Sequence, residues 1–160
     1  MFPQRENLYN GMNGMNDIKK HFLIIGAGIS GTGAAGVLLR RGQDVLISDE
    51  KAMRDQGQMD RLQGRGARFS FGQQDPSLLT GIDTVIVSPV IPAENPLVQA
   101  ALKKGIPVIS EIELAWRIAK APILAITGTN GKTTSTTLLG EMIHASGRPR
   151  IGGRKYRAYP

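Results

Sequence analysis

Twice along this 160-residue chain an apolar run stops at a glycine-rich loop and the chain restarts with helical spacing, which restricts the fold more than any other feature. The first instance is His21-Phe-Leu-Ile-Ile25, then Gly26-Ala-Gly28-Ile-Ser-Gly31, then a helix-patterned stretch over 30–41 ended by Gly42. The second is Ile123-Leu-Ala-Ile126, then Thr127-Gly-Thr-Asn-Gly-Lys-Thr-Thr134, then Leu138, Leu139, Met142 and Ile143 at helical spacing. Short β-branched and leucine-rich runs bounded by glycine read as buried strands. Strand, glycine loop and helix in that order build βαβ crossovers, and those imply a parallel sheet covered on both faces.

The stretch between the two loops continues the alternation. Strands are expected at 44–48, 67–71, 84–87 and 107–109, and a helix at 96–104 that stops at Gly105. Residues 51–66 fit either a polar helix or a loop. The expected organisation is a loose extension over 1–17, with Met12 and Met15 as plausible starts, and a Rossmann-like α/β domain over 18–110. A linker helix at 111–121 and the opening strand, phosphate loop and helix of a second domain at 122–153 follow, before a basic tail at 154–160. One strand and one helix bury little apolar surface, so residues from about 112 onward are expected to be poorly ordered alone.

Both loops are built for anions. In the second, Gly128 and Gly131 allow a turn whose backbone N–H groups face a phosphate, Lys132 adds a cation, and the Thr133 hydroxyl suits Mg²⁺. The loop opens a helix, whose N-terminal dipole and free N–H groups favour negative charge. Its Gly-x-x-Gly-Lys-Thr spacing is two residues tighter than the common phosphate-loop form, and a plain turn ending a strand is the competing reading. In the first loop, the glycines permit the turn, the approach of backbone to a diphosphate, and close helix–strand packing. Asp49 ends the second strand, where an acid meets a ribose. Locally that fingerprint fits NAD or FAD, or glycines that only pack a helix. A second phosphate loop and the proline-stiffened Ser88-Pro-Val-Ile-Pro92 at the carboxyl edge of the sheet favour instead a diphosphate-bearing substrate plus ATP.

Composition excludes several classes. There is no cysteine, hence neither a disulfide framework nor a thiolate metal site. No apolar run approaches a membrane span, and the polar first residues lack a signal-peptide core. The cytoplasm is therefore the expected location; a monomeric state is also expected. The net charge of +7 contains five cations, Arg148, Arg150, Arg154, Lys155 and Arg157, in an acid-free terminal stretch. Without them the balance is +2, so no nucleic-acid face is expected.

Gly26–Gly31, Ser88-Pro-x-Ile-Pro92 with Asn95-Pro96, Gly105-Ile-Pro-Val108, Glu111-Ile-Glu-Leu114 and Thr127–Thr134 stand in one order that resembles the Mur ligases of peptidoglycan synthesis, over about residues 18–153. The Glu111-Ile-Glu-Leu114 segment favours the D-glutamate-adding branch. The resemblance implies an ATP- and Mg²⁺-dependent ligase that activates the carboxylate of UDP-N-acetylmuramoyl-L-alanine as an acyl phosphate for attack by D-glutamate. It places ATP on Gly128, Thr129, Asn130, Gly131, Lys132, Thr133 and Thr134, with Lys132 as the catalytic cation and Thr133 on Mg²⁺. It places the UDP substrate on Gly28, Ile29, Ser30, Asp49, Glu50, Lys51, Ser88 and Pro89.

Two departures from the family pattern stand out. Val90 occupies a glycine position, and a branched residue is strained there if the backbone needs a positive φ, which would impair the UDP site. The chain also ends early in the family's central domain, before its D-glutamate-receiving domain, so ligase turnover by this chain alone is not expected. Past Gly152-Gly153 the family reads Asn-Ile-Gly, whereas this chain reads Arg154-Lys-Tyr-Arg157. One codon choice for those four residues holds Gly-Asn-Ile-Gly in the next frame, so a frameshift near 153 and a functionless tail are expected. The competing functional classes are a non-catalytic nucleotide or UDP-sugar binding module and a NAD-dependent oxidoreductase domain. Glu111, Glu113 and Trp116 are read as a solvated linker helix with the tryptophan packed against a domain, and His21 and His144 as structural.

Overall fold

The structure is a computed structural model that describes residues 20–119 and 123–147, together with the backbone of two short strands at 152–154 and 157–159. The expectations for 1–17 and for the junction at 120–122 lie outside the described residues. The chain divides into two units, Met1–Ala119 and Lys120–Pro160.

The first unit carries β1 (His21–Ile25), α1 (Ile29–Arg40), β2 (Asp44–Asp49), α2 (Gln56–Gln63), β3 (Arg68–Phe71), a 3-10 turn (Pro76–Leu79), β4 (Thr84–Val87), α3 (Pro96–Lys103), β5 (Val108–Ser110) and α4 (Glu111–Ile118). Its five strands form one parallel sheet in the order β3-β2-β1-β4-β5. The order reverses direction between β1 and β4, so the loops that leave these two strands part company at the carboxyl edge. Ligands of open α/β sheets bind in the crevice such a switch point leaves.

Alternation along each central strand explains why the sheet is covered twice. Phe22 and Ile24 of β1 join Val45, Ile47, Ile86 and Ile109 in a core against Ala34, Ala35 and Leu38 of α1, Leu62 of α2 and Leu114 of α4. Leu23 and Ile25 face the other way, with Val85, against Leu97, Val98 and Ala101 of α3 and Leu79 of the 3-10 turn. Successive strand side chains point to opposite faces, so a strand buried on both sides reads as one continuous apolar run. Each fully covered Leu or Ile contributes about 1.5–3 kcal/mol of burial.

Capping sets the helix starts. Asp55 accepts the Gln58 amide at the start of α2, Asn95 accepts both Leu97 and Val98 at α3, and Ser110 accepts Glu113 at α4. Such caps satisfy N–H groups that have no partner within the helix. Residues 51–66 thus resolve into a capped helix over Gln56–Gln63, only one of whose residues, Leu62, is buried. Helix α4 belongs to the first unit through Leu114, while Trp116 is 46% exposed and does not pack as expected.

The second unit holds α5 (Lys132–Ala145) and an antiparallel pair, β6 (Gly152–Arg154) with β7 (Arg157–Tyr159). No residue of α5 is buried. Residues 123–128 carry no strand, contrary to the sequence expectation, and Ile123 and Leu124 are exposed. A strand exists only through hydrogen bonds to a neighbour, and the strands described in this unit pair with each other. No helix among the described residues is long and apolar enough to cross a membrane.

Candidate functional site

The carboxyl edge of the sheet gathers the residues expected to hold a UDP substrate. Gly28 caps α1, whose first turn contains Ile29 and Ser30. Asp49 ends β2, with exposed Glu50 and Lys51 beside it. Ser88 and Pro89 follow β4. Because β2, β1 and β4 are consecutive in the sheet, these three loops lie side by side.

Each glycine of the first loop has a distinct role. Gly26 has φ +106°, and a Cβ there would come within 2.9 Å of the Ser88 Cβ, so the loops after β1 and β4 touch at this point. A Cβ on Gly31 would fall 2.0 Å from the Gly26 carbonyl oxygen, which shows how tightly α1 sits on the loop. Around Gly28 no atom beyond its two chain neighbours lies within 4 Å of that position. The middle glycine is therefore the one whose backbone stands open to an incoming group. No side chain caps the α1 N-terminus either. Uncapped N–H groups at a helix start favour an anion, a diphosphate among them.

Long-range hydrogen bonds hold this loop from behind. The Gly26 amide donates to the Ser48 carbonyl at 2.8 Å, and the Ala27 amide to Asp49 Oδ2 at 2.7 Å. Asp49 Oδ1 accepts the Lys51 amide at 2.9 Å. The carboxylate expected to meet a ribose thus also ties the first glycine loop to the end of β2, with lone pairs to spare. Buried Thr32 donates its hydroxyl to the Gly28 carbonyl at 2.9 Å and accepts Gln58 Nε2 at 3.0 Å. The Gln58–Thr32 link had no signal in the sequence, since it joins residues far apart through a helix whose pattern is mostly polar.

Val90 is not strained. No described residue other than glycine has a positive φ. The condition under which Val90 would distort the loop is therefore absent.

In the second unit, Gly131 caps α5 in the left-handed region, at φ +75°, with no side-chain cap. Lys132 donates through Nζ to the carbonyls of Gly128 and Thr129. Its ammonium is folded onto the loop. Thr136 and Thr137 spend their hydroxyls on carbonyls one turn back. Thr133 and Thr134 make no side-chain hydrogen bond among the described residues, which leaves Thr133 free to ligate a cation. The donor set Thr129, Asn130, Lys132, Thr133 and Thr134, around an uncapped helix start, fits a magnesium-bound triphosphate. No group of three or more His, Asp or Glu residues among those described could hold a metal by itself.

Comparison with known proteins shows the family of the first unit. Residues 20–110 match the family described as Mur ligase MurD-like, N-terminal domain. The chain is 44% identical over 134 residues to a UDP-N-acetylmuramoylalanine–D-glutamate ligase of Syntrophotalea carbinolica, covering 84% of this chain and 30% of that protein. A protein of the same name from Halalkalibacterium halodurans is 42% identical over 136 residues, with the same coverage. The chain thus spans about 30% of the length of these relatives. Among solved structures, the UDP-N-acetylmuramate:L-alanyl-gamma-D-glutamyl-meso-diaminopimelate ligase of Neisseria meningitides superposes with a TM-score of 0.60 at 25% identity, over 86% of this chain and 44% of that one. The UDP-N-acetylmuramate-alanine ligase of Thermotoga maritima shares the fold, with a TM-score of 0.55 at 22% identity, over 79% of this chain and 29% of that one.

Proposed function

The chain belongs to the Mur ligase family through a MurD-like N-terminal domain, and from that premise we propose that it binds UDP-N-acetylmuramoyl-L-alanine in the switch-point crevice of its first unit. The observation that carries this reading is the open backbone at Gly28, where nothing of the protein fills the space before an uncapped helix. The diphosphate takes the first-turn N–H groups of Ile29 and Ser30. Asp49, Glu50 and Lys51 form the uridine edge, and Ser88 with Pro89 closes the opposite wall.

In the full reaction, ATP with Mg²⁺ supplies the phosphoryl group that activates the substrate carboxylate before D-glutamate attacks. This chain's share is to hold that triphosphate. The loop Gly128–Thr134 would hold it, with Lys132 supplying positive charge for the phosphates and the Thr133 hydroxyl a ligand for the cation. The chain matches about 30% of the length of its relatives, and this part by itself is expected to bind both ligands without turning over; a cytoplasmic, monomeric state goes with that reading.

Thermal shift of the purified chain with UDP-N-acetylmuramoyl-L-alanine, ATP with Mg²⁺, and NAD⁺ tests the reading. Stabilisation by the first two is expected and NAD⁺ should have no effect. A shift with NAD⁺ and none with the UDP substrate would make the domain an oxidoreductase module instead. Phosphate release dependent on both D-glutamate and the UDP substrate would overturn the predicted lack of turnover.

A further inference from the structure

The strand order makes a linear map of the ligand. With the nucleoside edge over β2 and the diphosphate over the β1–α1 loop, the group beyond the diphosphate crosses the switch point and arrives at the loop after β4. That loop begins with a turn in which the Ile91 amide donates to the Ser88 carbonyl at 3.0 Å. Pro89 occupies its second position and Val90 its third. All described peptide bonds are trans and Val90 has a negative φ. A type II turn needs a positive φ at the third position, so this is a type I turn.

The turn is anchored at both ends. Ser88 is buried, Ile91 packs against the core on the α3 face, and Pro89 and Pro92 stiffen the backbone. Val90 is uncovered, with 84% of its surface exposed, between the likewise exposed Pro89 and Pro92. Branching at Cβ leaves its χ1 little freedom, so it loses little entropy when a ligand covers it. Single exposed apolar residues are ordinary on protein surfaces, but this one stands on a braced turn at the ligand edge of an open sheet.

We propose that Val90 is a specificity-determining residue of the crevice, whose isopropyl group reads the glycosyl part of the ligand, with its acetamido and lactyl methyl groups, and not the nucleotide end. This rests on the crevice being the UDP-substrate site. Val90 also holds the rim turn in its negative-φ form, which glycine would not.

The test is isothermal titration of the 160-residue chain with UDP and with UDP-N-acetylmuramoyl-L-alanine, for the wild type, Val90→Ala and Val90→Gly. Alanine keeps the turn and removes two methyl groups, so binding of the glycosylated ligand should weaken about fivefold while UDP stays within about twofold. Glycine also frees the backbone and should weaken it further. Circular dichroism confirms that the variants are folded, as expected for a change at an exposed side chain. If the wild type binds both ligands and the variants match it, or if UDP weakens in parallel, the assignment of Val90 is overturned and the site stands. If the wild type binds neither ligand, the reading of the crevice falls, and the role of Val90 with it.

Discussion

Substituting alanine at two glycines of one helix should move stability in opposite directions. At Gly31 the new Cβ would lie 2.0 Å from the Gly26 carbonyl oxygen, well inside any tolerated contact, and also 3.3 Å from Ile24 Cγ2. The obstacle is backbone, held in place by the Gly26 amide on Ser48, so α1 must lift away from the sheet. Overpacking against an unyielding neighbour costs about 3 kcal/mol or more, and alanine recovers about 1 kcal/mol of helix propensity. The net for Gly31→Ala is about 2–3 kcal/mol of destabilisation. At Gly33, two residues along, nothing lies within 4 Å of the new Cβ. Only the propensity gain remains there, about 0.5–1 kcal/mol of stabilisation. For a domain of this size the two variants should melt roughly 10–20 °C below and a few degrees above the wild type. Thermal and urea melts followed by circular dichroism measure both. If Gly31→Ala melts at or above Gly33→Ala, the close packing of α1 on its loop is not what the third glycine provides.

Asp49→Ala removes the acceptor of two backbone N–H groups and should cost about 1–3 kcal/mol, with weaker binding of the UDP substrate than of ATP, read from paired melts and titrations. Lys132→Ala should abolish the ATP-induced thermal shift and leave the response to the UDP substrate intact, since the two loops belong to separate units. Asp75 caps the 3-10 turn, and its hydrogen bonds to Ser77 hold its pKa below the ordinary carboxylate value. A depressed folded pKa means that the cap's contribution is present above the unfolded value and is lost as pH falls through the folded one. Asp75→Asn should therefore flatten the acid end of the stability–pH curve, as measured by urea melts from neutral pH to about pH 3.

The elements legible in the sequence are those whose signal is local. The run His21–Ile25 is apolar at every position after the first because both faces of β1 are covered, and the prolines and glycines around α3 mark its ends. Asn95, Pro96 and Gly105 carry their meaning within a few residues. Helix α2 had no such signal: one buried leucine on a polar helix makes no stripe, and Gln58 gains its role only against Thr32. The run Ile123–Ile126 misled in the opposite sense, because apolar content marks strand potential while pairing needs a neighbour. Trp116 was expected to pack and instead stands half-exposed on α4, whose hold on the core comes from Leu114 and Ile118.

Residue order alone was enough to establish the α/β class, both glycine loops, and the family to which they point, since each is written in contiguous residues whose backbone freedom and charge do not depend on context. The crevice itself required the folded sheet. Strand order, the contact of Gly26 with Ser88, the tie from Asp49 to Ala27 and the open space at Gly28 all join residues tens of positions apart. Such contacts form only when burial of both faces of the sheet offsets the entropy of closing the chain between them, and no local pattern records which partner is chosen.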